Sequence, residues 1–284
     1  MSETSLVTVY IPTYNRRALL ERAVESVLNQ TYTNLEVIIV DDCSPDDTLD
    51  YLAQVAKKDS RVRYFQNEKN SGACVSRNKA IMEAKGEFIT GLDDDDYFLM
   101  FHIEGYVKKW RSCSEEKNLV CLYPDLHIKT RSGHRIKSRI SSINDRKLLL
   151  VGNYIGNQVF ARASLFRENL FYEKMPAWQD LECWYRMLKS GIAMNAKLQT
   201  YIVDISHEHE RITESKGDVI RKAHGVFARS NNLNKKESCV LYSQYFGYFP
   251  EQLKFHKLIL MARCKFSFNY WLMLSKRYLS RWFN

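Results

Sequence analysis

Residues 87–96 read Glu-Phe-Ile-Thr-Gly-Leu-Asp-Asp-Asp-Asp, a short apolar stretch that ends in four consecutive aspartates. Neighbouring carboxylates repel one another, so such a run is unfavourable at a strand end unless a cation neutralises it. Two carboxylates spaced one residue apart can direct oxygens toward one hard divalent ion, with coordination positions left for phosphates. A solvated acidic turn is the alternative interpretation, and the rest of the chain favours the cation site.

The sequence before this stretch alternates between apolar strands and amphipathic helices. Apolar runs rich in β-branched residues occupy residues 7–11, 35–40 and 62–65, and helical spacing of apolar residues separates them. This alternation predicts an α/β fold with a Rossmann-like, mostly parallel sheet flanked by helices. Ligands bind outside the carboxyl ends of the strands in such sheets. We therefore expect residues 12–15, 41–42 and 93–96 to line one cleft.

The composition indicates a folded protein of the cytoplasm. The chain has 284 residues, of which 45% are apolar and 13% aromatic, so it can bury a large core. Its seven cysteines are scattered without a CxxC pair, which is typical of reduced thiols. The sequence shows no secretory signal and no apolar run long enough to span a bilayer. We expect a cytoplasmic protein that is soluble or peripherally bound to a membrane.

The net charge of +9 is unevenly distributed along the chain. Residues 1–210 have a net charge of −1, whereas residues 211–284 have a net charge of +10. Aromatic residues are interleaved with Lys and Arg between residues 242 and 283, which suits the headgroup region of an anionic membrane. The alternative to membrane contact is that this segment forms helices whose apolar face packs on the rest of the chain. No nucleic-acid motif accompanies the charge, so we expect no nucleic-acid partner.

Several motifs occur together in one order and spacing. They are Ile11–Asn15, Ser26–Thr31, Glu36–Ser44, Gly72 with Arg77-Asn78, and Gly86–Asp96. Together they resemble glycosyltransferase family 2, over residues 5 to about 213. The resemblance implies a nucleotide-diphosphosugar transferase fold of the GT-A type and sugar transfer with inversion of the anomeric configuration. It divides the chain into a catalytic domain, residues 1–213, and a basic helical C-terminal region, residues 214–284.

The resemblance assigns the nucleotide to the turns that follow the first two strands. Pro12, Tyr14 and Asn15 would lie beside the base, and Asp42 would accept a hydrogen bond from its imide N–H. Arg77 resembles the family's arginine on the phosphate side. The alternative for Pro12 and Tyr14 is an ordinary turn at the end of a strand. The alternative for Arg77 is an ion pair at the surface.

The aspartate run matches the family pattern L-D-x-D-D, which selects Asp93 and Asp95. Asp95 would bind Mn²⁺ or Mg²⁺ directly, while Asp93 would reach the metal through a water or contact the ribose. Asp94 would contact the nucleotide. The metal ion would neutralise the diphosphate and act as a Lewis acid toward the leaving nucleotide.

Two histidines and an arginine follow the predicted strand that ends near residue 205. Related transferases carry a histidine here that closes over the metal and the diphosphate, and we favour His209, then His207, for that role. Arg211 would hold a diphosphate oxygen.

The catalytic base is expected near the start of a later helix. An inverting transfer needs one base that takes the proton from the acceptor hydroxyl. Residues 178–186 resemble the family's E-D-x-x-x-W helix, which places Asp180 at the catalytic position. Residue 179 is Gln where the family usually has Glu. Glu182 would assist by hydrogen bonding and is the second candidate, and an acid favoured by the helix dipole is the alternative interpretation of Asp180.

A basic strip spans residues 129–147, and it predicts a mobile hairpin or lid near the acceptor; a solvated loop is the alternative. Its cations are Lys129, Arg131, Arg135, Lys137, Arg139, Arg146 and Lys147. The resemblance extends to bacterial β-1,3-galactosyl- and glucosyltransferases of O-antigen or capsule assembly. It implies a UDP-hexose donor, with galactose or glucose favoured, and an undecaprenyl-diphosphate-linked sugar acceptor at the inner face of the inner membrane. UDP-GlcNAc or UDP-GalNAc, and a non-catalytic nucleotide-sugar-binding module, are the alternatives.

Overall fold

The computed structural model describes residues 5–113, 115–207 and 217–245. Its first half alternates strands and helices: β1 (Val7–Thr13), α1 (Arg17–Leu28), β2 (Leu35–Asp41), α2 (Thr48–Lys58), β3 (Val62–Gln66), α3 (Ala73–Glu83) and β4 (Phe88–Gly91). The elements that follow are β5 (Tyr97–Phe98), α4 (His102–Ser112), β6 (Leu119–Tyr123), β7 (Leu126–Thr130), β8 (Gly133–Lys137), β9 (Ser142–Ile143), a 3₁₀ helix (Arg146–Leu150), β10 (Phe160–Arg162), α5 (Ala163–Glu168), α6 (Gln179–Met187), β11 (Ile192–Asn195) and β12 (Tyr201–Asp204).

The main sheet has eight strands in the order β3-β2-β1-β4-β10-β6-β11-β9. The first four are parallel, as the sequence predicts. Every residue of β1, β2 and β4 is buried, which explains their nearly continuous apolar sequence. The register pairs Thr13 with Asp41 and Tyr10 with Gly91, so the polar residues that follow these strands lie at one edge.

The second half of the sheet mixes strand directions. Strand β10 lies antiparallel between β4 and β6. Because β10 and β4 run in opposite directions, the residues that precede β10 lie beside those that follow β4. A side chain at Gly91 would collide with the Tyr10 ring and with Gln158, so glycine permits this close approach.

A smaller sheet orders its strands β5-β12-β7-β8. Strands β7 and β8 form an antiparallel hairpin that carries most of the basic strip, and β8 is exposed along its whole length. Strand β12 pairs with β5, which directly follows the aspartate run, and with β7. The end of β12 is thereby held next to the aspartates.

The chain divides into two compact units. The larger comprises Met1–Arg146, Tyr154–Glu173 and Gln179–Glu210, and it contains both sheets. The smaller comprises Lys147–Asn153, Lys174–Trp178 and Arg211–Asn284. Its described helices are α7 (Gly217–Ser230) and α8 (Lys235–Ser243), and Asn234 caps α8.

The described helices include none with the length and apolar character that crossing a membrane requires. Residues 208–216 and 246–284, which include the basic aromatic tail, lie outside the described part of the chain. The division at residues 213 and 214 stays a prediction.

Candidate active site

The end of β1 and the turn after it carry the first group of predicted site residues. Pro12, predicted on the turn, lies within β1 and is buried because the strand extends to Thr13, whereas Tyr14 lies beyond the strand and is 42% exposed. Asn15 has a φ of 52°, a left-handed conformation that asparagine adopts more readily than most residues. Its backbone N–H donates to Ser44 Oγ at 2.8 Å, which joins this turn to the one after β2.

The two aspartates after β2 have different partners. Asp41 is fully buried and accepts hydrogen bonds from Ser44 and from Gln66, so it supports the local turn. Asp42 accepts from the backbone N–H groups of Ser71, at 2.9 Å, and of Gly72, at 2.7 Å. Asp42 therefore fixes the N-terminal entry of α3, the helix that carries Arg77, and it lies at the predicted nucleotide edge.

Asp93 and Asp94 contact different sides of the cleft. Asp94 accepts from Thr13 Oγ1 at 2.9 Å, so it lies against the turn after β1. Burial raises the pKa of the Asp94 carboxyl to about 6. Asp93 Oδ1 accepts from Arg77 and from Gln158, each at 3.0 Å. The predicted convergence of the first strand end on the aspartate run is thus present as direct contacts.

The Asp95 carboxylate lies close to the Arg16 guanidinium and the His207 imidazole. Its Oδ2 is 3.2 Å from Arg16 Nη1 and 3.6 Å from His207 Nε2. The same Arg16 nitrogen is 3.1 Å from Asp94 Oδ1. Sequence reasoning missed Arg16, although its position directly after the Pro12–Asn15 motif was a usable signal. His209 and Arg211 lie outside the described residues.

Arg77 joins the aspartate run to the helix of the predicted base. It donates to Asp93 Oδ1 at 3.0 Å and to Gln179 Oε1 at 2.9 Å. The neutral amide of Gln179 therefore accepts a bond where the family usually has a carboxylate. Asp180 follows at the start of α6, and burial raises the pKa of its carboxyl to about 6. A group with this pKa is a competent base at neutral pH.

Glu182 lies one turn into the same helix and is fully buried. Arg186 Nε donates to both of its carboxylate oxygens, at 2.9 and 3.1 Å. This bidentate pair accounts for the burial of the charge, because a buried carboxylate needs a partner. The contact gives Glu182 a structural function in addition to the predicted assisting role.

A second arginine that the sequence did not single out holds the end of β12. Arg22 on α1 donates to the Asp95 carbonyl and to Asp204 Oδ2, each at 2.6 Å. Lys129 also contacts Asp204 Oδ2, at 3.1 Å. These cations hold Asp204, three residues before His207, next to the aspartate run. No sequence signal identified this clamp, because its members come from separate elements.

The donor set is compatible with a divalent ion at Asp95. One carboxylate and one imidazole lie on the same side of the site, and this mixture suits Mn²⁺ better than Mg²⁺, which prefers oxygen ligands. Within the described ranges, no three His, Cys, Asp or Glu side chains gather to form a complete metal site. Asp95 and His207 could therefore supply two ligands, and phosphate oxygens could supply others.

Comparisons with known proteins identify the family of the chain. The family model for glycosyl transferase family 2 matches residues 8–171. A protein of Escherichia coli K12, provisionally named colanic acid biosynthesis glycosyl transferase WcaA, is 37% identical over 225 residues, 76% of this chain and 78% of its own. The Escherichia coli protein UDP-Glc:alpha-D-GlcNAc-diphosphoundecaprenol beta-1,3-glucosyltransferase WfaP is 42% identical over 102 residues, 36% of this chain and 40% of its own.

The fold is also that of solved structures. The crystal structure of S. aureus TarS 1-349 in complex with UDP-GlcNAc aligns with a TM-score of 0.67 at 19% identity, over 91% of this chain and 79% of that chain. The mixed sheet flanked by helices is the GT-A type architecture of these neighbours. Because the family model matches more than half of this chain, the chain belongs to glycosyl transferase family 2.

Proposed function

We propose that this protein transfers a hexose from a UDP-sugar to a hydroxyl of a sugar that is linked to a lipid diphosphate, with inversion at the anomeric carbon. The observation that carries the proposal is the position of Arg77, which contacts Asp93 and Gln179 within 3.0 Å. That contact brings the base candidate Asp180 close to the carboxylates that would face the donor. A donor bound there would lie near the base, as a single displacement requires.

The chemistry divides among three groups of side chains. Pro12, Tyr14 and Asp42 would bind the base of the nucleotide, and Asp93 and Asp94 the rest of the nucleoside. A divalent ion held by Asp95 and His207 would supply Lewis-acid neutralisation of the diphosphate. Asp180 would accept the proton of the acceptor hydroxyl from the face opposite the leaving nucleotide.

The relatives support the choice of substrates. WfaP is named for UDP-Glc as donor and a GlcNAc-diphospholipid as acceptor, and TarS was crystallised with UDP-GlcNAc. We favour glucose or galactose as the transferred sugar, with UDP-GlcNAc or UDP-GalNAc as the alternative donors. Epimers differ by one hydroxyl, so a few contacts decide between them. If the protein uses such a lipid-linked acceptor, it would act at the inner face of the bacterial inner membrane. Its reaction would then belong to polysaccharide assembly.

The decisive experiment incubates the purified full chain with four donors, UDP-Glc, UDP-Gal, UDP-GlcNAc and UDP-GalNAc. The acceptor is synthetic α-GlcNAc-diphosphate-phenoxyundecane, with Mn²⁺ or with excess chelator. We expect a β-linked product from one donor, identified by NMR of the new anomeric proton, and little product with chelator. The matched control is Asp180→Asn, which keeps the shape of the site but lacks the base.

Three results would contradict parts of the proposal. Binding of UDP-sugars without transfer to this or any other sugar-diphosphate acceptor would indicate a non-catalytic module. An α-linked product would exclude the inverting mechanism. Full activity in excess chelator would exclude the metal.

A further inference from the structure

The Arg16 side chain bridges two carboxylates of the aspartate run. Its Nη1 nitrogen lies 3.1 Å from Asp94 Oδ1 and 3.2 Å from Asp95 Oδ2. The Asp94 and Asp95 side chains are 8% and 10% exposed, and the Arg16 side chain is 24% exposed. Water therefore screens these ion pairs less than it screens pairs on an open surface. Any second cation that approaches Asp95 must compete with this guanidinium.

The atom for which the cations compete is Asp95 Oδ2. His207 Nε2 lies 3.6 Å from the same oxygen, and these two side chains are the candidate metal ligands. A divalent ion lies about 2.1 Å from a carboxylate oxygen that binds it, so it would be at most about 5.3 Å from Arg16 Nη1. Two cations at that separation in a shielded site repel each other. This position of the guanidinium therefore opposes binding of the ion.

The backbone around Arg16 is held in place, whereas its guanidinium is carried by a flexible side chain. The Asn15 N–H donates to Ser44 Oγ at 2.8 Å, and the Arg17 N–H donates to Asp46 Oδ2 at 3.3 Å. The residues on both sides of Arg16 are thus tied to the segment that follows β2. Movement of the guanidinium away from Asp95 requires new side-chain torsions but no rearrangement of the turn.

The two carboxylates have further partners that do not depend on Arg16. Arg22 donates to the Asp95 carbonyl oxygen at 2.6 Å, which fixes the backbone of this candidate ligand. Asp94 accepts from Thr13 Oγ1 at 2.9 Å. Both aspartates therefore keep their positions when the guanidinium leaves, and the Arg16 side chain is the part of the site that moves.

The diphosphate of the proposed donor is an anion that suits this guanidinium. Arg16 directly follows residues 12–15, which would bind the nucleotide, and it contacts the aspartates on the metal side. A diphosphate that connects these two parts of the site would pass beside Arg16. Guanidinium groups bind phosphate oxygens through two parallel N–H bonds. The diphosphate therefore offers Arg16 a second partner, which becomes the better one once a metal ion neutralises the aspartates.

We propose, on the basis of the transferase function proposed above, that Arg16 moves from Asp95 to the donor diphosphate and thereby makes Asp95 Oδ2 available to the divalent ion. Without the nucleotide, the guanidinium stays on the aspartates and weakens binding of the ion. Direct contact between the ion and the diphosphate already couples the two ligands, and Arg16 increases this coupling. Each ligand then raises the affinity for the other by the same factor.

The test measures the Kd of Mn²⁺ with and without UDP, and the Kd of UDP with and without saturating Mn²⁺. Calorimetry on the purified full chain gives all four values. Arg16→Gln should bind Mn²⁺ alone roughly tenfold more tightly, because the competing cation is removed. It should bind UDP in saturating Mn²⁺ roughly tenfold more weakly, because the diphosphate loses the guanidinium. UDP affinity without Mn²⁺ should change less than about twofold.

The gain in Mn²⁺ affinity separates this function from a structural one, since loss of a structural contact would weaken both ligands. Arg16→Lys keeps the charge without the planar fork, so its affinity for Mn²⁺ alone should stay close to that of wild type. Arg17→Gln, whose arginine pairs with Glu21, is the matched control and should leave all four Kd values unchanged.

Thermal melting verifies that each variant is folded. If Arg16→Gln does not fold, Arg16→Lys provides the test, because an ammonium cannot reproduce the paired bonds to phosphate. Its UDP affinity in saturating Mn²⁺ should fall about threefold. An unchanged UDP affinity of this variant would contradict the contact between Arg16 and the diphosphate.

The role of Arg16 would be overturned if Arg16→Gln bound Mn²⁺ alone no more tightly than wild type does. It would also be overturned if the wild-type complex with UDP bound no Mn²⁺. The expected four Kd values without transfer from any UDP-sugar would support the role of Arg16 and contradict the transferase function. Transfer by a protein whose Mn²⁺ affinity is independent of Arg16 would contradict only the role of Arg16.

Discussion

The Arg16 guanidinium lies 3.2 Å from Asp95 Oδ2, the same carboxylate oxygen that faces His207. Arg16 also contacts Asp94, so one cation offsets two adjacent negative charges. A divalent ion that binds Asp95 Oδ2 would compete with this guanidinium or push it toward the donor diphosphate. Arg16 thereby links the turn after β1 to the proposed metal site.

Arg16→Gln should destabilise the protein in chelator, because Asp94 and Asp95 then lose the guanidinium that both contact and repel each other more strongly. Loss of hydrogen bonds between charged groups costs about 2 kcal/mol, which lowers the Tm by roughly 4–8 °C. Mn²⁺ should restore more of the Tm in this variant than in wild type. The measurement is thermal melting with chelator and with Mn²⁺. Arg17→Gln, whose arginine pairs with Glu21, is the control and should show no difference in its response to Mn²⁺.

Asp180→Asn should lower turnover by about 10²–10⁴, because the amide cannot accept the proton of the acceptor. UDP affinity should stay within about twofold, since binding of the donor does not require this group. Steady-state kinetics and calorimetry give the two quantities. Near-normal turnover of Asp180→Asn would remove Asp180 from the proposed mechanism.

Glu182→Gln should affect stability more than turnover. The substitution removes the charged hydrogen bonds with the partly exposed Arg186 and should cost about 2 kcal/mol, or roughly 4–8 °C in Tm. Turnover per folded molecule, measured well below the Tm, should fall less than tenfold. A loss as large as that of Asp180→Asn, with the Tm unchanged, would make Glu182 the base.

The pH dependence of transfer should follow Asp180. The base acts when deprotonated, and burial raises the pKa of this carboxyl to about 6. The value of kcat/KM for the acceptor should therefore rise about tenfold per pH unit below pH 6 and level off above about pH 7. The Asp180→Asn variant should lose this rise of kcat/KM with pH. A midpoint near the ordinary aspartate pKa, about 3.9, would show that the carboxyl is not shielded from water.

Truncation after about residue 250 should abolish binding to vesicles that contain phosphatidylglycerol. The removed segment holds seven Lys/Arg and one acid, and each cation near the surface contributes about 1 kcal/mol, less at high salt. Vesicle co-sedimentation at low and high salt measures the effect. Full chain with Lys276, Arg277 and Arg281 changed to Gln tests the same charges if truncation unfolds the protein. Unchanged vesicle binding by that variant would exclude these charges from the membrane contact.

The sequence by itself determined the parallel strands β1–β4 and the edge at which their polar residues meet. These features are local: each strand is a buried apolar run, and the direction of a parallel sheet places the following residues at the same edge. The motif order also identified Asp42, Asp95 and Asp180 as candidates, together with the family. Arg16 could have been read in the same way, from its place beside the first motif.

Only the tertiary structure decided what surrounds these residues. Gln158 reaches Asp93 because β10 runs antiparallel beside β4, and Arg77 reaches Gln179 across 102 positions of the chain. The clamp of Arg22 on Asp204 likewise joins segments distant in sequence. Side-chain periodicity reports which face of an element is buried, but it carries no information about which distant element covers that face. Those partners follow from strand order and packing, so the chemistry around the predicted aspartates emerged only in the folded chain.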